Sequence, residues 1–320
     1  MATLSVIKSG WHATIQDGGR IGAQRFGLTQ GGAADEHAYR WANRLLDNPR
    51  EAACVEVLLG QFWAEITADA LISVTGADLD FRINGQSTVP WSTHRVRAGD
   101  QLSFERPCNG LRAYLGIVDG WQTPRVFGSR SVVVRESLGG LDGGPLKSGD
   151  QLPFRPHDES FRRALAPRNI PDYQTPLTLQ VVAGYQYRSF GKTAIRAFTG
   201  SEFRVSQRID RMGYQLSGPE ISCPAKGIIS EGIALGAIQI TTDGQPIVLL
   251  RDRQTIGGYP KIGCVTSLGC SQLAQRGPDA RVQFEWVDLT KAQQQRRRFE
   301  RFFSASEWPA DAGDSLPRPL

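Results

Sequence analysis

Along most of this chain apolar positions come in short runs or alternate with polar ones, a spacing of two that suits strands rather than helices. Residues 4–7 and 55–59 read as buried strands, 62–66 alternates, and 71–75 is apolar and β-branched. Residues 79–83 and 86–89 flank Asn84-Gly85, a pair suited to a tight hairpin turn. Gly99-Asp100-Gln101-Leu102-Ser103-Phe104 and Gly149-Asp150-Gln151-Leu152-Pro153-Phe154 echo each other, which predicts a recurring turn that launches a short strand. One stretch breaks this rhythm. Ala38, Trp41, Ala42, Leu45 and Leu46 form a stripe at helical spacing, with Asp35 as N-cap and Asn48-Pro49 as the stop.

Periodicity lapses over 156–176, where Pro156, Pro167, Pro171 and Pro176 predict a linker. Short strands resume over 177–182, 202–205, 215–217, 227–230, 237–241, 247–250, 264–266 and 281–286, with a loop or short helix over 184–198. A helix is predicted over 290–303, its Phe299, Phe302 and Phe303 packing on a barrel, followed by a disordered tail over 304–320. Many short strands without βα alternation predict a mainly β protein of two tandem β-barrel domains with few helices. The expected boundaries are 1–155 for the first barrel, 156–176 for the linker, 177–290 for the second barrel and 291–320 for the closing helix and tail.

Composition narrows the function. At 320 residues the chain exceeds one ordinary domain, and 40% hydrophobic residues with 35 glycines suit a turn-rich protein with ample core. The net charge of +5 comes from dispersed Lys and Arg, with one cluster at Arg296-Arg297-Arg298, which argues against a nucleic-acid stripe. Five cysteines without a CxxC suggest neither a zinc ribbon nor a disulfide framework, and four scattered histidines speak against a metal site. The N-terminus lacks an apolar signal core and no apolar run approaches a membrane span, so the cytoplasm is the expected compartment.

Several motifs fail on inspection. Six bulky residues, YQYRSF, separate Gly184 from Gly191-Lys192-Thr193, where a phosphate-binding loop needs four that let backbone amides converge. There is no HExxH and no GxSxG. Cys264 and Cys270 read as small buried apolar residues. His37 has no Cys or Ser partner motif. Gln16-Asp17-Gly18-Gly19-Arg20 can line a site or be a turn with a solvated salt bridge. Glu56, in the middle of a buried strand, needs a partner or a raised pKa.

The densest group of special residues spans 239–263, QITTDGQPIVLLRDRQTIGGYPKIG. Asp243-Gly244 is a turn, 247–250 a buried strand, and charged residues, two glycines and a proline follow. Arg211, Arg253 and Lys261 are suited to clamp a carboxylate or a phosphoryl group. Asp252 or Glu231 can serve as a base, or Asp252 can orient an arginine, and Tyr259 can donate to a carbonyl oxygen. Gly257 and Gly258 let backbone N–H groups approach an anion, and Gln239, Gln245 and Gln254 offer amides for substrate binding. The predicted site is Asp252, Lys261 and Tyr259 for catalysis, with Arg211, Gln239, Gln245, Arg253, Gln254, Gly257 and Gly258 binding a small-molecule substrate.

These residues carry a resemblance. Residues 14–20 (TIQDGGR), 56–60 (EVLLG), 71–78 (LISVTGAD) and 128–131 (GSRS) resemble the first half of the biotin-dependent carboxyltransferase subdomain A/B family. Residues 210–214 (DRMGY), 236–239 (GAIQ), 243–247 (DGQPI) and 254–261 (QTIGGYPK) resemble its second half. The resemblance implies cyclophilin-like barrels. It also implies an ATP-dependent 5-oxoprolinase activity on 5-oxo-L-proline, exercised with two partners. One is a kinase-inhibitor-like protein of the B type, the other a LamB/YcsF-type protein of the A type. ATP would be used by the assembled complex, with no cofactor held tightly by this chain. The family's other members imply two alternatives: antagonism of a histidine-kinase inhibitor, and a carboxyltransferase or allophanate hydrolase component that acts on urea-type amides. No membrane partner is implied, and a homo-oligomer is compatible with the family. The chain departs from the family pattern at Gly31-Gly32-Ala33-Ala34-Asp35, in place of Ser-Gly-Ala-Met-Asp, and at Thr255-Ile256, in place of Thr-Thr.

Overall fold

A computed structural model describes residues 1–158, 160–223 and 227–304. The expected tail lies outside the described residues, apart from Ser304 at the end of the last helix. The chain divides into two units, one built on Met1–Ala23 and Gln30–Tyr173 with the helix end from Phe302, the other on Gln24–Thr29 and Gln174–Arg301.

The first unit contains β1 (Ala2–Ser9), β2 (His12–Gln16), β3 (Cys54–Leu58), β4 (Phe62–Ile66), β5 (Ala70–Asp78) and β6 (Phe81–Ile83). It continues with β7 (Gln86–Ser87), β8 (Ser92–Val96), β9 (Gln101–Phe104), β10 (Asn109–Ile117) and β11 (Gln151–Phe154). They form two sheets, in the orders β11-β1-β4-β9-β6-β7 and β2-β3-β10-β5-β8. Alternate residues of both sheets, among them Leu4, Phe62, Phe104, Ile15, Val55 and Leu115, are fully buried in one core. Asn84 and Gly85 both have positive φ, at 50° and 76°, the geometry that a two-residue hairpin turn needs. The echoed GDQL turns are chemically alike. Gly99 N donates to Ile66 O at 2.7 Å and Gly149 N to Val6 O at 2.8 Å. Asp100 and Asp150 then each accept the backbone N–H three residues earlier, at 2.7 and 2.8 Å.

The first helix, α1 (Glu36–Leu45), is capped by Asp35, whose side chain accepts from Ala38 N. Its Trp41 packs against Phe302 and Phe303, with ring centroids 5.3 and 5.4 Å apart. The two phenylalanines thus cover a helix face rather than the barrel wall expected of them. Glu56 gains its partners: Tyr114 Oη donates at 2.8 Å, Ala34 N at 2.9 Å, and Arg112 Nε lies 3.8 Å away. QDGGR does not form the solvated turn. Asp17 is 5% exposed and Arg20 1%. The Asp17 carboxylate accepts from Ser129 Oγ, Ser131 Oγ and Arg130 N, all at 2.6 Å, and from Gly19 N at 2.8 Å. Within the aperiodic segment expected as a linker, Thr93 N donates to Arg163 O, Leu165 N to Trp91 O, and Tyr173 Oη to Asp35 Oδ2. These bonds hold residues 163–173 to the first unit.

The second unit contains β12 (Leu177–Ala183), β13 (Phe203–Ile209), β14 (Gly213–Ser217), β15 (Glu231–Gly232) and β16 (Ala237–Ile240). It is completed by β17 (Pro246–Leu249), β18 (Ile256–Gly257), β19 (Lys261–Val265) and β20 (Arg281–Trp286). Here the ladder closes into a seven-stranded barrel, β12-β19-β16-β17-β14-β13-β20, around Leu179, Val181, Phe203, Ile238, Val248 and Ile262. Helices α2 (Lys192–Gly200) and α3 (Ser267–Leu273) precede α4 (Leu289–Ser304). The helix α3 went unpredicted because its seven residues are too few to show a helical stripe, and Gly269 weakens the pattern further. The strand expected over 227–230 does not form, since Ile229 is 94% exposed and pairing begins at Glu231. Lys261 opens a strand rather than sitting in the loop before it.

His37 supplies a test of the first unit. Trp41 Nε1 donates to His37 Nε2 at 3.2 Å, and Trp91 and Phe303 flank the ring. Burial lowers its pKa to about 4, with Glu36 opposing weakly. Unfolded histidine binds its proton near pH 6.5, so between about pH 6.5 and 4 the unfolded chain carries the extra proton. The contribution of this site to stability is therefore fully present above that window and is lost as pH falls through it, to a maximum of about 3 kcal/mol. Urea unfolding at pH 7 and pH 4.5 should show a smaller acid loss for His37→Gln than for the wild type. Equal losses would remove His37 from the acid response.

Candidate functional site

The second barrel builds the site from one irregularity. Strand β16 pairs with β19 as Ala237↔Cys264 and Ile238↔Gly263, then shifts register so that Gln239 faces Lys261. The extra residue is Ile262, which is fully buried in the core. Two successive residues of β19, Ile262 and Gly263, therefore point inward. Glycine is required at 263, because a Cβ there would collide with Val181 Cγ1. The shift returns Lys261 to the outer face of the barrel, beside Gln239 and on the same side as Cys264.

A cavity of about 400 Å³ lies against this outer face, lined among others by Gln186, Glu231, Gly232, Lys261, Gly263 and Cys264. Lys261 Nζ is 2.8 Å from Glu231 Oε1, a charge-to-charge contact rather than a well-aligned hydrogen bond. Gln186 Nε2 donates to the same Oε1 at 3.0 Å, and Lys261 N approaches Gln186 Oε1 at 3.4 Å. The Lys261 ammonium, followed by the Gln186 amide, holds the Glu231 carboxyl below the usual range. Burial pushes the Cys264 thiol up to about 11, and its Sγ donates to Leu235 O at 3.0 Å. A thiol so placed stays protonated at neutral pH and is no nucleophile.

The predicted residues separate into several groups. Lys261, Gln239, Gly257 and Gln254 come together: a Cβ on Gly257 would meet Gln239 Nε2 at 2.9 Å and Gln254 Nε2 at 3.7 Å. Gln239 is 3% exposed, and its Nε2 has no hydrogen-bond partner among the described residues. Arg211 and Asp252 form a second group, a two-pronged ion pair with Nε–Oδ2 2.8 Å and Nη2–Oδ1 3.0 Å. Both carboxylate oxygens are thereby engaged, so Asp252 orients an arginine. Arg253 is turned to the backbone, donating to Ile233 O and Leu250 O. Burial, then the neighbouring Arg251, lowers its pKa. Gln245 clamps Gly218 through both its oxygen and its nitrogen. Tyr259 is 40% exposed, and Gly258 O accepts from Ile228 N.

Gln186 was missed by sequence reasoning. It sits in the bulky stretch that disqualified the phosphate loop, 45 positions from Glu231 and 75 from Lys261. No local pattern connects residues so far apart.

The two ion pairs should respond differently to mutation. Asp252→Asn takes a two-pronged carboxylate away from Arg211 in a place where both side chains are only about a tenth exposed, at 10% and 11%. Breaking such a pair costs about 3 kcal/mol, or roughly 6 to 12 °C in melting temperature. Lys261→Met leaves behind a Glu231 side chain that is 40% exposed. That change should cost at most about 1 kcal/mol. Thermal unfolding of the two variants checks this, and comparable losses would contradict it.

Residues 26–286 match the family described as Carboxyltransferase domain, subdomain A and B. The chain is 33% identical over 308 residues to the C subunit of 5-oxoprolinase from Escherichia coli K12, covering 95% of this chain and 98% of that protein. It is 33% identical over 290 residues to the corresponding 5-oxoprolinase protein of Haemophilus influenzae, covering 90% and 92%. Among solved structures, the K. lactis urea amidolyase superposes with a TM-score of 0.89 at 24% identity, over 95% of this chain and 20% of that one. That likeness is one of fold.

Proposed function

The chain belongs to the carboxyltransferase family of subdomains A and B, and from that membership we propose that it is the C subunit of an ATP-dependent 5-oxoprolinase, a hydrolase that converts 5-oxo-L-proline to L-glutamate. The observation that carries this reading is the nearly end-to-end match to two bacterial proteins of that name, over 98% and 92% of their lengths. The partners are a kinase-inhibitor-like protein of the B type and a LamB/YcsF-type protein of the A type, and ATP is used by the assembled complex. The phosphate-loop lookalike offers no alternative, because Tyr185–Ser189 forms a tight 3-10 turn instead of an open anion cradle. Five free cysteines support a cytoplasmic location. The urea amidolyase of Saccharomyces cerevisiae, 28% identical over 88% of this chain but only 16% of its own length, fits the urea-type amide reading only distantly.

The cavity on the second barrel suits such a substrate. A five-membered lactam acid presents one carboxylate and one amide. Lys261 meets the carboxylate, and the Gln186 amide, which can donate and accept, meets the lactam. Tyr259, 40% exposed on the chain that leads into β19, is not among the residues that line the cavity. Asp252 fixes Arg211, and Gly257 keeps the backbone close over Gln239. In the net reaction, 5-oxo-L-proline, ATP and two waters give L-glutamate, ADP and phosphate: the lactam C–N bond breaks, the carbonyl carbon gains an oxygen to become a carboxylate, and the nitrogen leaves as an amine that takes a proton.

Reconstitution tests the proposal. The three proteins together should form glutamate from 5-oxo-L-proline and ATP, and omission of this chain should stop it. Lys261→Met should lower turnover at least about tenfold, the loss expected when a charge-assisted contact to the reacting ligand is removed. Full turnover without this chain would overturn the proposal. Binding of the B-type partner without any turnover would favour the kinase-inhibitor antagonist instead.

A further inference from the structure

Lys261 is a cation with 8% of its surface exposed, and an ammonium so enclosed needs a counter-charge at all times. Among the described residues that counter-charge is Glu231. Glu231 differs from Glu36, Glu56 and Asp252, the carboxylates that meet Arg40, Arg112 and Arg211 and are at most 11% exposed. Its side chain is 40% exposed, so its carboxylate can pass into water at little cost. It is carried on the two-residue ribbon β15–β18, which pairs Glu231 with Gly257 and Gly232 with Ile256 and is flanked by bonds from Ile233 N to Thr255 O at 3.0 Å and from Ile228 N to Gly258 O at 2.8 Å. Gln186 donates to the very oxygen that Lys261 holds, so both groups can turn together toward a replacement. Across the strand from Lys261, Gln239 keeps a buried amide nitrogen with no partner among the described residues, a donor that a protein does not bury idly.

We propose that Glu231 is an internal competitor for the cavity, holding on Lys261 the place that a ligand carboxylate takes, so that binding is an exchange of one carboxylate for another. The inference rests on the reading of this cavity as the substrate site. Exchange makes the site selective by charge. A small monocarboxylate replaces Glu231 and keeps Lys261 neutralised, whereas a neutral lactam brings no counter-charge and leaves the ion pair closed. It also sets affinity, because each binding event works against the Lys261–Glu231 contact.

Isothermal calorimetry on the full chain tests the exchange, with 5-oxo-L-proline, acetate and 2-pyrrolidinone as probes. Glu231→Gln keeps the contact with Gln186 while removing the competing charge. It should tighten both carboxylates by about fivefold, the effect of freeing a cation from a half-exposed ion pair. Binding of 2-pyrrolidinone should stay weak and unchanged. Glu231→Ala, which cannot preserve the ribbon by hydrogen bonding, should give the same direction, and Glu231→Gln/Lys261→Met should abolish the gain. Unchanged or weaker acetate binding by Glu231→Gln overturns the exchange, as does failure of acetate to bind any of these proteins. If acetate tightens and 5-oxo-L-proline does not, the exchange stands and the substrate assignment falls. If 5-oxo-L-proline binds wild type and Glu231→Gln equally and acetate does not tighten either, the substrate assignment stands and the exchange falls.

Discussion

The second unit depends on a one-residue slip between two strands. If β16 and β19 kept register, Gln239 would face Ile262 and the ammonium of Lys261 would point into a core of Ile238, Val181 and Val248. Burying that charge unpaired is prohibitive, and burying Ile262 is favourable, so the extra residue is taken up where a glycine at 263 permits it. The same slip puts Lys261, Gln239 and Cys264 on one outer face, and the cavity is the space between that face, the ribbon β15–β18 and the chain at Gln186. A packing solution for the core is thus also the placement of the site.

The protein handles its enclosed charges in two ways. Asp17 and Glu56 in the first unit, and the Arg211–Asp252 pair in the second, are saturated by several donors or a two-pronged contact. Such groups are held by the fold on several sides, and their removal strands buried partners. Lys261 has a half-exposed counter-ion, and Gln239 beside it has an unused donor among the described residues. The contrast separates charges that hold the fold from charges that can meet a substrate.

Much of the fold was legible because its signals are local. Asp35 caps α1 through a bond to Ala38, Asn84-Gly85 takes the positive φ angles its turn demands, and two GDQL segments make the same turn twice. The apolar runs at 55–59, 62–66 and 247–250 became strands, since a short β-branched run has few other ways to bury itself. Two short segments were less legible. Helix α3 has too few turns for a stripe, and residues 227–230 look apolar enough for a strand although only their successor, Glu231, finds a partner.

Local patterns were enough to establish the mainly β architecture, the closing helix, the turn chemistry and the family, and they pointed to Lys261, Gln239 and Gly257 as residues of interest. What each charged residue contacts was decided by the folded chain alone. Arg253 and Gln245 looked like ligand groups yet are spent on backbone carbonyls and a turn, whereas Gln186, without any motif, lines the cavity. The reason is range. A turn or a cap is set by residues within about four positions. A side chain's partner is set by strand register and barrel closure, here across separations of 45 and 75 residues. Only the folded chain brings those partners within hydrogen-bonding distance.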